Sequence, residues 1–323
     1  MTEIIKGPDF GRIMDEAVSP ELEKIMYEGE FIGKAGARLK YRSYVPENAV
    51  RSVVILHGYT EGMFKYEELI GYLTGSGSSV YIYDQRGHGR SFRAVDDLTL
   101  THVDRFEDYA DDLSLFLNNV VPDTLPVFLF GHSMGGAVCS LWLERNQGRV
   151  SGAVLCSPMI SPSTGNYPAF VGKLICRTMI LFGKEKKRIF LSGPYPGEEK
   201  FEDACSSCRA RFARYEYFKR THPDYQNYSP TYRWTLESLL VPKTLLKKGE
   251  PEKIDVPVLV MIAGQDTVVR TDAIREFAAR IPDCRVVDFP ESKHEICYAE
   301  DPDVEKLVEN TLEFFESHTP EIQ

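Results

Sequence analysis

Short, largely apolar runs alternate along this chain with segments that have the spacing of amphipathic helices. The runs lie at 52–56, 79–83, 126–130, 153–156, 256–262 and 285–289. A run that is apolar throughout is typical of a strand buried on both faces, as in a parallel sheet covered by helices. The pattern becomes extended from Phe31, and the segment 38–45 alternates and predicts a half-buried strand. We therefore expect an α/β fold with a mostly parallel central sheet flanked by helices.

The regular alternation stops in one long segment. Helical spacing recurs at 66–72, 105–118, 137–145, 271–280 and 302–317. Between 159 and 250 the chain instead has many aromatic residues, several predicted helices and few β-branched runs. We interpret 159–250 as a mainly helical cap inserted into a core of 1–158 and 251–323. Because ligands of such folds bind beyond the carboxyl ends of the strands, we expect the cap to lie over the site.

Composition excludes several classes of protein. The 323 residues carry a net charge of −10, which argues against a nucleic-acid partner. No secretory signal and no apolar run of membrane-spanning length is evident, so we predict a cytoplasmic protein. The seven cysteines are an odd, scattered set rather than a disulfide framework. Cys205 and Cys208 form a C-x-x-C pair, but no second pair completes a zinc site, so we predict no metal.

The segment Gly131-His-Ser-Met-Gly-Gly136 carries the strongest chemical signal. It follows an apolar strand and opens a helix, which is the context of a nucleophile elbow. The flanking glycines allow the sharp turn, and the amides at the helix start favour developing negative charge on Ser133. The alternative is a glycine-rich β–α turn with an incidental serine. We predict that Ser133 is a nucleophile.

A serine nucleophile needs a base, and the base needs a partner that orients it. In this type of fold the order along the chain is serine, acid, histidine. Asp266 and His294 each come just after a predicted strand, downstream of Ser133. Asp272 is a competing acid, but it lies at the start of the next helix, where a capping role is ordinary. We predict a triad of Ser133, His294 and Asp266.

Two backbone amides are expected to bind the oxyanion. One is that of Met134, which follows the nucleophile, and the other is that of Tyr59, in the loop after the strand 52–56. We expect His57 to shape that loop rather than to transfer a proton. The glycine-rich loop 84–91 matches neither a dinucleotide fingerprint nor a P-loop, so we interpret it as structural support for the site.

Three segments give the chain a family resemblance: 131–136, His57-Gly58 with the following 59–61, and the loop 84–91. Together they resemble the α/β-hydrolase superfamily, in its monoglyceride lipase and bacterial lysophospholipase branch, from about Phe31 to Phe315. The segments 206–212 and 229–234 look like the bacterial lysophospholipase subgroup. The resemblance implies the triad Ser133, Asp266 and His294.

The same resemblance implies hydrolysis of a lipid-like carboxylic ester by water, without a cofactor. The expected substrate is a lysophospholipid or a monoacylglycerol, whose carboxylic ester is cleaved through an acyl-enzyme. A general carboxylesterase for small esters is the alternative within hydrolases. A non-catalytic receptor on the same fold is the alternative of another class, although such proteins usually lose a triad member.

The cap differs from the rest of the chain in charge. Residues 160–250 contain 14 of the 37 aromatic residues and 16 Lys and Arg against 9 Asp and Glu. The aromatic residues suit an acyl chain, or they form the small core of the cap itself. A basic cluster at Lys184, Lys186, Lys187 and Arg188 follows an apolar segment. It predicts peripheral contact with an anionic inner membrane face, with a solvated helix end as the alternative.

Overall fold

A computed structural model describes residues 4–165 and 167–320, which form ten strands and ten α-helices. The strands are β1 (Met26–Ile32), β2 (Arg38–Tyr44), β3 (Arg51–Leu56), β4 (Ser78–Tyr83), β5 (Leu100–Thr101), β6 (Val127–His132), β7 (Gly152–Cys156), β8 (Ser229–Pro230), β9 (Val258–Ala263) and β10 (Cys284–Phe289). The helices are α1 (Phe10–Ile13), α2 (Ser19–Ile25), α3 (Glu67–Gly75), α4 (Glu107–Asn119), α5 (Met134–Leu143), α6 (Ala169–Leu181), α7 (Arg209–Thr221), α8 (Tyr232–Leu245), α9 (Thr271–Ala278) and α10 (Asp301–Ser317).

Eight of the strands form one sheet in the order β1-β2-β4-β3-β6-β7-β9-β10. From β4 to β10 all neighbours are parallel, whereas β2 is antiparallel to both β1 and β4. The order places β3 and β6 side by side at the centre, with Leu56 opposite Gly131. The loops that follow these two strands therefore leave the sheet together at one edge.

Both faces of the sheet are covered, as the apolar runs predict. Val54 and Leu56 of β3 pack into a core with α4, α5 and α9. Val53 and Ile55 of the same strand face a second core with α3 and α10. All six residues of β3 are buried, because successive side chains point to opposite faces and each face meets helices.

The N-terminal part of the sheet was only partly predicted. The extended pattern was expected from Phe31, whereas β1 begins at Met26 and pairs with β2 from Met26 opposite Tyr44. Most residues of β1 are at least partly exposed, so this edge strand lacks the continuous apolar run that marks the central strands. Its charged residues are satisfied across the hairpin, as in the pair of Arg42 with Glu28.

The segment interpreted as a cap contains α6, α7 and α8, and its last helix packs against the body of the molecule. Trp234 and Leu245 of α8 belong to the same core as α5. The short strand β8 pairs with β5 of the body. Only α6 is confined to a separate small cluster, where Cys176 packs on Tyr232 and Leu236. The boundaries at 159 and 250 stay a prediction.

Among the residues that the structure describes, no helix combines the length and the apolar character needed to cross a bilayer. All seven cysteines lie in that part of the chain, and each is a free thiol.

Candidate active site

The turn between β6 and α5 holds Ser133 in a strained conformation. Its φ of 51° and ψ of −116° lie in a region that non-glycine residues rarely adopt, and such strain concentrates at functional sites. A Cβ at Gly131 would lie 2.7 Å from Sγ of Cys139, and one at Gly135 would overlap the carbonyl of Leu56. Both positions therefore require glycine for the turn to close against its neighbours.

The three side chains of the predicted triad lie in a hydrogen-bonded row. Nε2 of His294 is 2.8 Å from Oγ of Ser133, and Nδ1 of His294 is 2.6 Å from Oδ2 of Asp266. Ser133 and His294 are each 5% exposed. The row extends over the ends of β6, β9 and β10, because all three residues follow strands that end at the same edge of the sheet.

The carboxylate of Asp266 is fixed by more than the imidazole. Its Oδ1 accepts hydrogen bonds from the amides of Val268 at 2.8 Å and Val269 at 3.0 Å. Burial acts to raise the pKa of Asp266, but the hydrogen bonds from His294 and these amides outweigh it and lower the pKa. The competing acid, Asp272, is 67% exposed and pairs with Arg270, so the structure does not bring it to His294.

The two amides predicted to bind an oxyanion are unused within the described residues. Neither that of Tyr59 nor that of Met134 donates to a protein acceptor there. Met134 is the first residue of α5, so its N–H has no partner within the helix. The ring of Tyr59 packs on Trp234 of α8 with centroids 4.1 Å apart. The segment interpreted as a cap thus contacts the loop after β3.

His57 is buried and shapes its loop, in agreement with the prediction. Its Nδ1 contacts the carbonyl of Gly58 at 2.7 Å, and its Nε2 accepts from the amide of Gln85 at 2.9 Å. The loop 84–91 is braced in turn, since Arg86 donates two hydrogen bonds to Asp112 at 2.6 and 2.7 Å. This loop therefore supports the loop after β3.

A buried cluster of charged residues beside the triad escaped the sequence analysis. Glu61 accepts hydrogen bonds from the amide of Gly58 at 2.6 Å, Tyr66 at 2.7 Å and Lys65 at 2.8 Å. Lys65 also pairs with Glu295, which follows His294, at 2.7 Å. Glu61 and Lys65 lie in one segment, but Glu295 comes from the loop after β10, so no spacing in the sequence indicates that the three charges meet. In the sequence, the signal that could have indicated this cluster was the position of Glu61, four residues after His57.

His132, which precedes the nucleophile, joins this cluster. Its Nδ1 is 3.4 Å from Oε1 of Glu61, and its Nε2 is 3.4 Å from the carbonyl oxygen of His294. Burial alone would lower the pKa of His132, but the carboxylate of Glu61 outweighs burial and raises it to about 9. A protonated His132 donates from both nitrogens, so it connects the loop after β3 to the His294 loop.

A segment before α7 supports the His294 loop from the other side. The amide of Glu295 donates to the carbonyl of Cys205 at 3.1 Å, and the amide of Cys208 donates to the carbonyl of Tyr298 at 3.1 Å. The hydroxyl of Ser206 donates to the same carbonyl at 2.6 Å. The C-x-x-C pair is thus part of a backbone support for His294.

No group of three or more His, Cys, Asp or Glu side chains within residues 4–165 and 167–320 is arranged to hold a metal ion. The chemistry that the site can perform with its own residues is attack by a serine activated by an oriented histidine.

Comparison with known proteins adds a family and relatives over nearly the full length. Residues 47–302 match the family described as serine aminopeptidase, S33. Lysophospholipase L2 of Escherichia coli strain K12 is 29% identical over 306 residues, covering 90% of this chain and 88% of that protein. The probable lysophospholipase L2 of Haemophilus influenzae is 28% identical over 273 residues, covering 83% of this chain and 85% of that protein.

A solved structure supports the fold. A soluble variant of monoglyceride lipase from Saccharomyces cerevisiae, in complex with a substrate analogue, superposes with a TM-score of 0.70. The two sequences are 20% identical, and the match covers 91% of this chain and 96% of the other. The predicted α/β-hydrolase fold is confirmed.

Proposed function

The chain belongs to the serine aminopeptidase S33 family of hydrolases, and we propose that it cleaves the carboxylic ester of a lysophospholipid or a monoacylglycerol. The family description names a peptidase, whereas the relatives that match 83% and 90% of this chain are named lysophospholipases. The similarity to these relatives extends over the segment interpreted as a cap as well as the core. For that reason we propose a lipid ester as the substrate. Ser133 is the nucleophile in this proposal.

The proposal rests on the hydrogen-bonded row of Ser133, His294 and Asp266. With Nε2 of His294 at 2.8 Å, the hydroxyl of Ser133 can transfer its proton as the oxygen attacks the ester carbonyl. Asp266 holds the imidazole in the tautomer that accepts this proton and stabilises the imidazolium that results. The amides of Tyr59 and Met134 bind the negative oxygen of the tetrahedral intermediate.

The reaction then proceeds in two halves. His294 gives its proton to the leaving alcohol, the bond between carbonyl carbon and alcohol oxygen breaks, and the acyl group stays on Ser133. A water molecule attacks the acyl-enzyme with His294 again as base, which releases the fatty acid and restores the serine hydroxyl. No cofactor takes part in this sequence.

Replacement of the nucleophile tests the proposal. Ser133→Ala is expected to lower kcat/KM for lysophospholipid, monoacylglycerol and p-nitrophenyl esters by about 10⁴-fold or more, and to abolish labelling by a fluorophosphonate probe. Ser157→Ala is a matched control, because Ser157 is also buried and at positive φ but lies outside the row. Substantial ester hydrolysis by Ser133→Ala would refute the mechanism. Absence of labelling in the unmodified protein would favour a non-catalytic receptor.

We further propose that the protein contacts an anionic lipid surface through the outer part of the 159–250 segment. Seven large apolar side chains there are 63–84% exposed: Tyr167, Phe170, Leu174, Leu181, Phe182, Phe190 and Leu191. Exposed apolar patches of this kind are typical of interaction sites. Three exposed lysines, Lys184, Lys186 and Lys187, adjoin them and suit anionic headgroups.

Arg188 differs from the other members of the predicted basic cluster. Its guanidinium pairs with Asp97 at 2.9 Å and contacts the hydroxyl of Thr99 at 3.1 Å. It therefore binds this segment to the body, and we assign the lipid contact to the three lysines and the apolar side chains.

A further inference from the structure

The backbone of the loop that carries His294 is attached to the segment just before α7. This loop, residues 293–298, lies between β10 and α10 and is called the His294 loop below. In the part of the chain that the structure describes, its backbone hydrogen bonds with other segments go to Cys205 and Cys208 alone, each at 3.1 Å. The base of the candidate triad therefore stands on a loop whose backbone is attached to the 159–250 segment.

Two side chains strengthen this attachment. The hydroxyl of Ser206 donates to the carbonyl of Tyr298 at 2.6 Å, and Nζ of Lys293 donates to the carbonyl of Ala204 at 3.1 Å. Ser206 is fully buried, so its hydroxyl has no solvent to bond instead. Four hydrogen bonds thus join the segment before α7 to the His294 loop.

Arg211, in the first turn of α7, fixes the same segment from its other end. Its guanidinium is buried and donates to both carboxylate oxygens of Glu68 at 2.8 Å. It also donates to the carbonyl of Ala299 at 3.1 Å and to Asp301 at 2.8 Å, where the His294 loop leads into α10. The planar fork of an arginine can make these bonds at once, whereas a lysine ammonium is a single point of charge. Arg211 therefore ties the start of α7 both to α3 and to the end of the His294 loop.

The proposed reaction depends on where this loop holds the imidazole. His294 must keep Nε2 within hydrogen-bond reach of Ser133 while its Nδ1 stays on Asp266. Asp266 is fixed separately, by amides of its own loop. A displacement of about 1 Å between reacting groups can lower a rate by about 10²-fold. Whatever holds the His294 loop therefore controls the rate at which Ser133 is activated.

We propose that Ser206 and Arg211 are positioning residues for His294, so that the start of α7 belongs to the reaction machinery. The inference rests on the hydrolysis proposed at Ser133 and adds the residues that hold its base. It also gives a physical reason for the segment 206–212, which in the sequence carries only a family resemblance.

Ser206→Ala tests the proposal with the least disturbance, because it removes one hydroxyl and leaves the backbone hydrogen bonds in place. We expect kcat for a p-nitrophenyl ester to fall about fivefold or more, with KM within about twofold. The rate at which a fluorophosphonate probe labels Ser133 should fall by a similar factor, since labelling needs the base but no lipid. Ser207→Ala, at the half-buried neighbour, is the matched control and should keep both rates.

Arg211→Lys is the second variant, and it keeps a positive charge beside Glu68. Because a lysine cannot also span Ala299 and Asp301, we expect kcat to fall about threefold or more at unchanged KM. Urea denaturation identifies conditions in which each variant is fully folded, and all rates are measured there. A merely structural role would lower the free energy of unfolding and leave kcat of the folded protein unchanged.

The possible outcomes separate this proposal from the proposed function. Normal kcat and normal labelling in either folded variant would overturn the positioning role of that residue and leave the hydrolysis intact. A loss confined to KM would overturn it as well, because substrate binding would then be what changed. If the unmodified protein cleaves no ester and is not labelled, the proposed hydrolysis itself fails, and the positioning role fails with it.

Discussion

The loops that carry the candidate site and the segment 159–250 that contacts them are stabilised in different ways. Ser133, His294 and Asp266 follow strands that end at one edge of the sheet, and backbone hydrogen bonds fix the loops around them. Within the segment, α7 is tied to the body by buried arginines, whereas α6 presents large apolar side chains to solvent. The body thus holds the three side chains in a fixed arrangement, and the segment supplies two helices anchored to the body, α7 and α8, and one exposed apolar surface on α6.

The largest effect is expected at the acid of the candidate triad. Asp266→Asn should lower kcat by about 10⁴-fold, because the amide no longer holds the imidazole in the accepting tautomer. Asp272→Asn, at the exposed competing acid, should leave kcat within about twofold. Steady-state kinetics on one ester compares the two. Similar losses in both variants, or near-normal turnover in Asp266→Asn, would show that the acid has been misassigned.

The next largest effect is a loss of stability, expected when Arg211, which anchors α7 to the body, is replaced. Arg211 is fully buried, with Glu68 at 2.8 Å and Asp301 at 2.8 Å, and it also donates to the carbonyl of Ile5. Arg211→Ala leaves a buried carboxylate without its partner, so we expect the free energy of unfolding to fall by about 3–5 kcal/mol.

Chemical denaturation measures this change against a neighbouring control. Arg209→Ala removes a 70% exposed arginine at the start of the same helix, which pairs with Glu202 outside that helix, and such exposed pairs contribute about 0–1 kcal/mol. If Arg211→Ala destabilises no more than Arg209→Ala, α7 is held mainly by its apolar contacts.

A smaller, pH-dependent effect is expected from His132 in the body. Its pKa of about 9 is above the ordinary 6.5 of an unfolded chain. A raised pKa of a base stabilises the folded state fully below about pH 6.5, and the contribution is lost as the pH rises through 9. The difference in unfolding free energy between the unmodified protein and His132→Asn should therefore shrink by about 3 kcal/mol between pH 6 and 9.5.

Urea denaturation across that pH range provides the measurement. In a Glu61→Gln background the same difference should depend much less on pH, because the carboxylate that raises the pKa is gone. A difference that grows with pH would contradict the assignment of a protonated His132.

The smallest effect on stability is expected on α6. Phe170→Ser combined with Leu181→Ser should change the unfolding free energy by less than about 0.5 kcal/mol per site, because both side chains are largely exposed. Sedimentation with vesicles of phosphatidylglycerol and phosphatidylcholine should nevertheless fall several-fold. Val45→Ser with Phe92→Ser, at exposed apolar positions of the body, is the matched control. Unchanged sedimentation of the α6 variant would remove the proposed lipid contact.

Much of the fold could be predicted because its signals are local. The central strands contain continuous, largely apolar runs, and each boundary lies within about two residues of the predicted one at β3, β4, β6 and β7. The edge strand β1 was missed at its start, since an exposed edge needs no apolar run. The position of α8 in the main core was also missed, because nothing in a helical pattern states which partner its apolar face meets.

The candidate site, like the fold, could be predicted from the sequence only in part. The order and placement of Ser133, Asp266 and His294 after strands follow from sequence, because a parallel sheet brings the carboxyl ends of its strands to one edge. Their distances and the unused amides of Tyr59 and Met134 come from the structure, and their roles stay a proposal.

By itself, the sequence determined an α/β chain with a serine in a strand–helix turn. It also placed an acid and a histidine after later strands, where they can activate that serine. It also separated an acidic body from a basic segment at 160–250. Only the tertiary structure decided which charges are used up in ion pairs, as at Arg188, Arg211 and Lys65, and which stay exposed, as at Lys184. Burial and pairing depend on contacts between distant segments, and the energy of a charge depends on those contacts far more than on its neighbours in sequence.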